Sequence, residues 1–250
     1  MCYDISFASD IESIHDILPA IQIQGELRFD PTFHKLGMSF PTWPIVVNTN
    51  NRLELHPFVW GPIPKMLNTP DKVKKQRQMF LNARSEKILE PKTMWTAIRH
   101  QRCLVPVTGF YEYREIPGQK NKQAYFIRVK GQKIFFIAGL WTLSNSWDIE
   151  KPEKITTFTI VTREANSVMK QIHNGGNNAG RMPMMLTNEL AEMWVKPELN
   201  DDQIKDILSF SMPSIDLEYW PVNSVRKAHP DDESVIEHVD EIDLPPIILQ

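Results

Sequence analysis

The chain has 250 residues, 42% hydrophobic and 24% charged, with a formal net charge of −3. This is ordinary globular composition, enough for one large domain or two small ones. No stretch approaches the ~18 apolar residues of a membrane span, and the start lacks a basic-then-apolar signal pattern, so no membrane association and a cytoplasmic location are expected. Two cysteines, Cys2 and Cys103, make neither a disulfide framework nor a zinc spacing, and no metal is expected.

In chain order, Ser9 is placed to cap a short helix carrying Ile11, Ile14 and Leu18 on one face. Residues 41–60 look extended, Lys72–Met79 forms a polar helix, and Pro91 opens a helix with Trp95 and Ile98 inward. Cys103–Val107 and Phe110–Glu115 are strands. Gln123–Lys130 and Lys133–Leu143 are β-rich runs joined at Gly131-Gln132, the best hairpin signal in the chain. A strand over Thr156–Thr162, a helix over Glu164–Gln171 and a Gly/Asn loop over Asn174–Gly180 follow. Met182–Leu186 is a strand, Thr187 caps a helix with Leu190 and Trp194, Asp201–Phe210 is helical and Leu217–Val222 is a late strand. Short strands mixed with helices, without βαβ regularity, predict an α+β fold with a curved, mainly antiparallel, barrel-like sheet flanked by short helices. Residues 1–228 form one domain in this reading, and 229–250 a loosely ordered acidic C-terminal tail.

Charge is unevenly spread. Lys72, Lys74, Lys75, Arg77, Arg84, Lys87, Lys92, Arg99 and Arg102 face only Glu86 and Glu90 in their segment, whereas no cation follows Lys227. A basic segment in an acidic chain fits a phosphate-binding face, and equally a solvated helix face balanced elsewhere.

The chain begins Met1-Cys2. Removal of Met1 would leave a 1,2-aminothiol, which condenses with an aldehyde to an imine and then closes to a five-membered thiazolidine. The amine titrates near ~7.7–8.0 and the thiol near ~8.5, so modest tuning makes both reactive at neutral pH.

Five segments carry more than core: Met1-Cys2, Trp60-Gly61-Pro62-Ile63-Pro64, Asn82-Ala83-Arg84-Ser85-Glu86, Gly109-Phe110-Tyr111-Glu112-Tyr113, and His173 followed by Arg181-Met182-Pro183. In this order they resemble the SRAP family, the SOS response-associated peptidases, from Cys2 to about Val225. The resemblance implies a DNA-repair role: covalent capture of abasic sites in single-stranded DNA through the N-terminal cysteine, after autocatalytic removal of Met1. It implies no cofactor, and a monomer is expected. Strand cleavage of lyase type is a branch of the same chemistry, because an imine can eliminate the 3′ phosphate.

The resemblance also gives roles. Glu112 matches the family's acidic residue and would pass the protons of imine formation; outside the family the same glutamate is an exposed strand residue. His173 matches the family's histidine and would protonate the sugar ring oxygen or assist reversal, unless it merely ends a helix. Asn82 would hold the α-amine and the sugar hydroxyl, or be a turn asparagine. Arg84 would clamp a phosphate, or pair with Glu86 at the surface. Trp60 would stack on a base, and Arg181 is a further DNA contact. Cys103 is read as a buried core thiol.

The chain departs from the family at Tyr3-Asp4, where Gly-Arg is usual, so one phosphate contact is missing and Asp4 would repel a phosphate. Met66 and Tyr113 stand where tryptophan is commoner, and Asn174–Gly180 separates His173 from Arg181-Met182-Pro183. Two other functions compete: an N-terminal-nucleophile cysteine peptidase or amidase using Cys2, Glu112 and His173, and a non-catalytic single-strand binder.

Overall fold

The computed structural model describes residues 2–23, 28–145, 153–239 and 244–249. Met1, whose removal the sequence suggests, lies outside them, as do Asp240–Asp243 of the acidic tail. Five strands close into a barrel: Lys154–Glu164, Phe135–Asn145, Arg102–Val107, Thr42–Thr49 and Arg52–Trp60 are neighbours in that order. The ring shuts where Thr157 and Phe158 pair in parallel with Val59 and Trp60. The rest of the ring is antiparallel, and closure leaves the barrel strands no bare edge. Gln22–Ile23, Asn82–Arg84, Arg181–Pro183 and Met185–Leu186 extend this sheet.

A second, five-stranded sheet has the order Leu217–Val222, Gln123–Val129, Gly109–Arg114, Asp4–Phe7 and Thr32–Leu36, all antiparallel. Its centre brings Asp4–Phe7 beside Gly109–Arg114, with Asp4 opposite Tyr111. The residues after Cys2 and the Gly-Phe-Tyr-Glu segment are therefore neighbours by hydrogen-bond register. Barrel and sheet share one large apolar core in which Ile5, Phe7, Trp43, Phe110, Phe135, Phe158 and Trp194 are buried. The expected α+β, barrel-like, mainly antiparallel architecture is the one observed.

The hairpin expected at Gly131-Gln132 does not form. Gln123–Val129 belongs to the five-stranded sheet and Phe135–Asn145 to the barrel. Gly131 does make a turn, at φ +71, with Gln132 N–H donating to the Val129 carbonyl. The local turn is right; the chain uses it to cross between sheets. The tight hairpin lies instead at Asn50-Asn51, both at positive φ, as the twist-matched two-residue turn requires.

Helices are short, and most of the α-helices begin on side-chain caps. Thr69 accepts from Lys72 N–H, Asn166 from Met169 N–H and Thr187 from Leu190 N–H. Ser9 caps nothing: the first helix is a 3-10 turn over Ile11–Asp16 with Asp10 before it. Pro91 lies ahead of its helix, Met94–Ala97, which Thr93 caps. The acidic segment is packed rather than loose over residues 229–239. Val235 is buried, Phe33 N–H donates to the Pro230 carbonyl, and Trp220 Nε1–H donates to the Ile236 carbonyl.

Gly109 shows why one motif position has no side chain. A Cβ there would sit 2.1 Å from the Phe126 ring. Gly109→Ala is expected to cost about 1–3 kcal/mol of stability through overpacking, read as a lowered melting temperature. An unchanged melting temperature would show that Phe126 can step aside.

Candidate active site

Glu112 sits mid-strand, opposite Tyr125 on one side and next to the Asp4–Phe7 strand on the other. It is 4% exposed, and burial, reinforced by Asp4, pushes its carboxyl up to about 8. The carboxyl is therefore mostly protonated at neutral pH. Cys2 is fully buried beside it; desolvation, with the Glu112 charge second, pushes the thiol well above its ordinary value.

His173 ends the helix Ser167–Ile172, its N–H donating to the Met169 carbonyl. Its Nδ1 lies 2.7 Å from the Arg181 carbonyl oxygen, an acceptor only, so Nδ1 carries the proton and Nε2 the lone pair. Nε2 lies 3.8 Å from Glu112 Oε2. Burial brings the imidazole down to about 4, so it is neutral at pH 7. A protonated acid thus faces a neutral base. The Asn174–Gly180 loop leaves this geometry intact: Gly180 N–H donates to the His173 carbonyl, and the Asn174 amide bonds Glu115 N–H and carbonyl.

Two clefts adjoin this group. One of about 350 Å³ is lined by Asp4, Glu112, Lys122, His173 and Arg226 among others. The other, about 650 Å³, includes Phe80, Asn82, Arg84, Lys87 and Trp95. Tyr3, Asn177 and Asn178 line both, so the clefts lie side by side. Asn82 is 5% exposed, and neither its Oδ1 nor its Nδ2 has a hydrogen-bond partner among the described residues. Leaving a buried amide unmatched costs about 1–3 kcal/mol per group, which a ligand in the cleft would recover.

Arg84 is exposed at the mouth of the larger cleft and donates to Asn178 Oδ1 at 3.2 Å. Its alternative partner Glu86 is taken instead by Arg181, which forms a bidentate pair at 2.6 and 3.0 Å and also bonds the Thr162 carbonyl. Arg181 is thus committed within the protein. Trp60 is not available to a base. It is fully buried, stacked on Phe158, and its Nε1–H donates to the Leu81 carbonyl, because the strand carrying it closes the barrel. Nor is the basic segment one face. Arg77 bonds the Gly61 carbonyl and covers Phe40, Arg99 pairs with Asp201, and Arg102 is buried against the Trp194 carbonyl. Cys103 is a buried core thiol.

Comparison with known proteins identifies the family. The model of the SOS response associated peptidase (SRAP) family matches residues 1–227. The chain belongs to the SRAP family. Among its SRAP relatives is the abasic site processing protein YoqW of Bacillus subtilis, 27% identical over 90% of this chain and 93% of YoqW. Another is the abasic site processing protein HMCES of Rattus norvegicus, 25% identical over 68% of this chain and 52% of that protein. A solved structure from Bacteroides thetaiotaomicron superposes with a TM-score of 0.83 at 28% identity, covering 95% of this chain and all of that one. Among the described residues no helix is long and apolar enough to cross a membrane.

Two features of this SRAP site had no clear sequence signal. Asp4 is buried and bonded by His34 Nε2 at 2.7 Å, a partner thirty positions away on another strand. Arg226 reaches the same carboxylate from beyond the last strand. Charge type alone marked them, and charge type does not say which residues meet.

Proposed function

We propose that this protein captures abasic sites in single-stranded DNA as a covalent adduct at Cys2 once Met1 has been removed. The observation that carries the reading is the buried set of Cys2, protonated Glu112 and neutral His173 beside a cleft with an unmatched asparagine amide. The abasic-site processing that names YoqW and HMCES supports the same substrate.

An abasic deoxyribose opens to an aldehyde. The Cys2 amine must be neutral to attack it, and burial favours the neutral amine. The C–N bond forms, and the carbinolamine hydroxyl leaves as water on a proton from Glu112. The Cys2 sulfur then bonds the carbon of the protonated imine while its own proton goes to the Glu112 carboxylate, which restores the acid, and the net change is loss of one water. A neutral His173 is a proton acceptor beside this acid rather than a standing acid. Asn82 holds the sugar hydroxyl, and Arg84 binds a flanking phosphate. A peptidase acting on other proteins would need a thiolate at rest, and burial works against one at Cys2.

The test is incubation with an oligonucleotide bearing one abasic site, beside an undamaged oligonucleotide and a duplex. A heat-stable shifted band on a denaturing gel is expected only with the lesion, and most strongly in single strands. A band of equal strength with undamaged DNA, or none at all, would remove the abasic-site reading.

A further inference from the structure

We propose that Arg226 is a phosphate-binding residue of the smaller cleft, held in place by Asp4 and presented by the chain segment that follows the last strand. The inference rests on the abasic-site reading above and adds a contact outside the residues named there.

A DNA strand entering the cleft brings a negative charge with each nucleotide, and Asp4 lines that cleft. A lone carboxylate there would oppose binding. It is not alone: Oδ1 bonds His34 Nε2 at 2.7 Å, and Oδ2 faces the Arg226 Nη2 at 3.6 Å. The Arg226 guanidinium also lies over the Tyr113 ring, 4.6 Å from its centre. An arginine has five N–H donors, more than these contacts use. The side chain is still 52% exposed and lines the cleft with Glu112 and His173. Asp4 and Arg226 together turn an acidic wall into a pair with spare donors for a phosphate.

The root of Arg226 is fixed by packing. Val222 and Val225 are buried with Tyr111, Phe126 and Val235, and Ala228 N–H donates to the Val225 carbonyl at 3.1 Å. Beyond it, Phe33 N–H bonds the Pro230 carbonyl at 2.7 Å. The packed acidic segment thereby clamps the one arginine it follows into the site. Lys122 lines the same cleft, but its ammonium is paired with Glu115 at 2.8 Å.

The test measures binding of wild type, Arg226→Gln and Arg226→Lys to single-stranded DNA holding a tetrahydrofuran abasic analogue, across a salt series. The analogue has no aldehyde, so binding is read apart from chemistry. Arg226→Gln is expected to weaken binding about three- to tenfold at low salt and to make the log–log salt slope shallower by about 0.7. Arg226→Lys should keep the slope and lose at least about twofold in affinity, because the fork and the stacking go while the charge stays. On a true abasic site, Arg226→Gln should need more DNA for half-maximal cross-linking yet reach the wild-type maximal rate. Wild-type affinity and slope in Arg226→Gln would overturn the proposal. Should that variant melt early, wild-type affinity in Arg226→Lys would overturn it instead. These readouts hold even if wild type forms no cross-link; that outcome would remove the abasic-capture reading and leave the Arg226 contact to be judged on binding alone.

Discussion

Cys2→Ala protein is expected to bind lesion-bearing single strands with wild-type affinity and to form no heat-stable adduct. In variant protein shown by mass to begin at residue 2, the substitution removes the sulfur and keeps the α-amine, so the aldehyde can go as far as the imine and no further. Borohydride should therefore trap the variant on the DNA, whereas heat alone should release it. An imine left open is also the species that eliminates the 3′ phosphate, so strand cleavage should rise relative to wild type. Cys2 is packed in the core, and alanine is smaller, so a modest drop in melting temperature accompanies the change. Persistence of the heat-stable adduct in this variant would transfer the chemistry to another residue.

Glu112→Gln is expected to slow cross-linking at pH 7 by about 10²–10⁴-fold, the usual range for losing a positioned acid–base group. The amide keeps the shape and loses the proton. In wild type the rate should fall as pH rises through about 8, where Glu112 ionises. Stability moves the other way. Between the ordinary carboxyl value of 4.5 and about 8, the native protein keeps a proton that the unfolded chain has lost, so stability falls as pH rises across that window. Glu112→Gln removes that slope and should melt higher than wild type near pH 7.5. His173 slopes oppositely: between about 4 and 6.5 the unfolded chain binds a proton that the native imidazole refuses, so stability is lost as pH falls. Melting curves from pH 4 to 9 read both effects. A Glu112→Gln curve parallel to wild type would show that the carboxyl is ionised in the native site.

Much of the fold was legible because burial imposes a period. Leu217–Val222 and Asp201–Ser209 stand where their patterns put them, the second with a full capping box between Asn200 and Gln203. Strand pairing was not legible, because it is decided at long range. Gly131 has the chemistry of a hairpin turn, and only the packing of two sheets sends its flanking strands apart. Asn50-Asn51 carried the true hairpin signal in two residues permissive of positive φ. In the site, the motif positions Cys2, Glu112 and His173 do meet. Trp60 failed as a stacking residue because a ring at the barrel seam is worth more inside than out, and the cation run scattered because Arg77, Arg99 and Arg102 each found a carbonyl or carboxylate. Asp4 looked repulsive in sequence, and His34 and Arg226 give it its partners.

The most direct measurement is the intact mass of the denatured adduct between wild-type protein and an oligonucleotide with one abasic site. The account predicts the mass of a chain lacking Met1 plus that of the oligonucleotide, less one water, with the cross-linked peptide mapping to Cys2. Protein shown by mass to begin at Cys2 that yields no adduct, or an adduct on an internal residue, would contradict it.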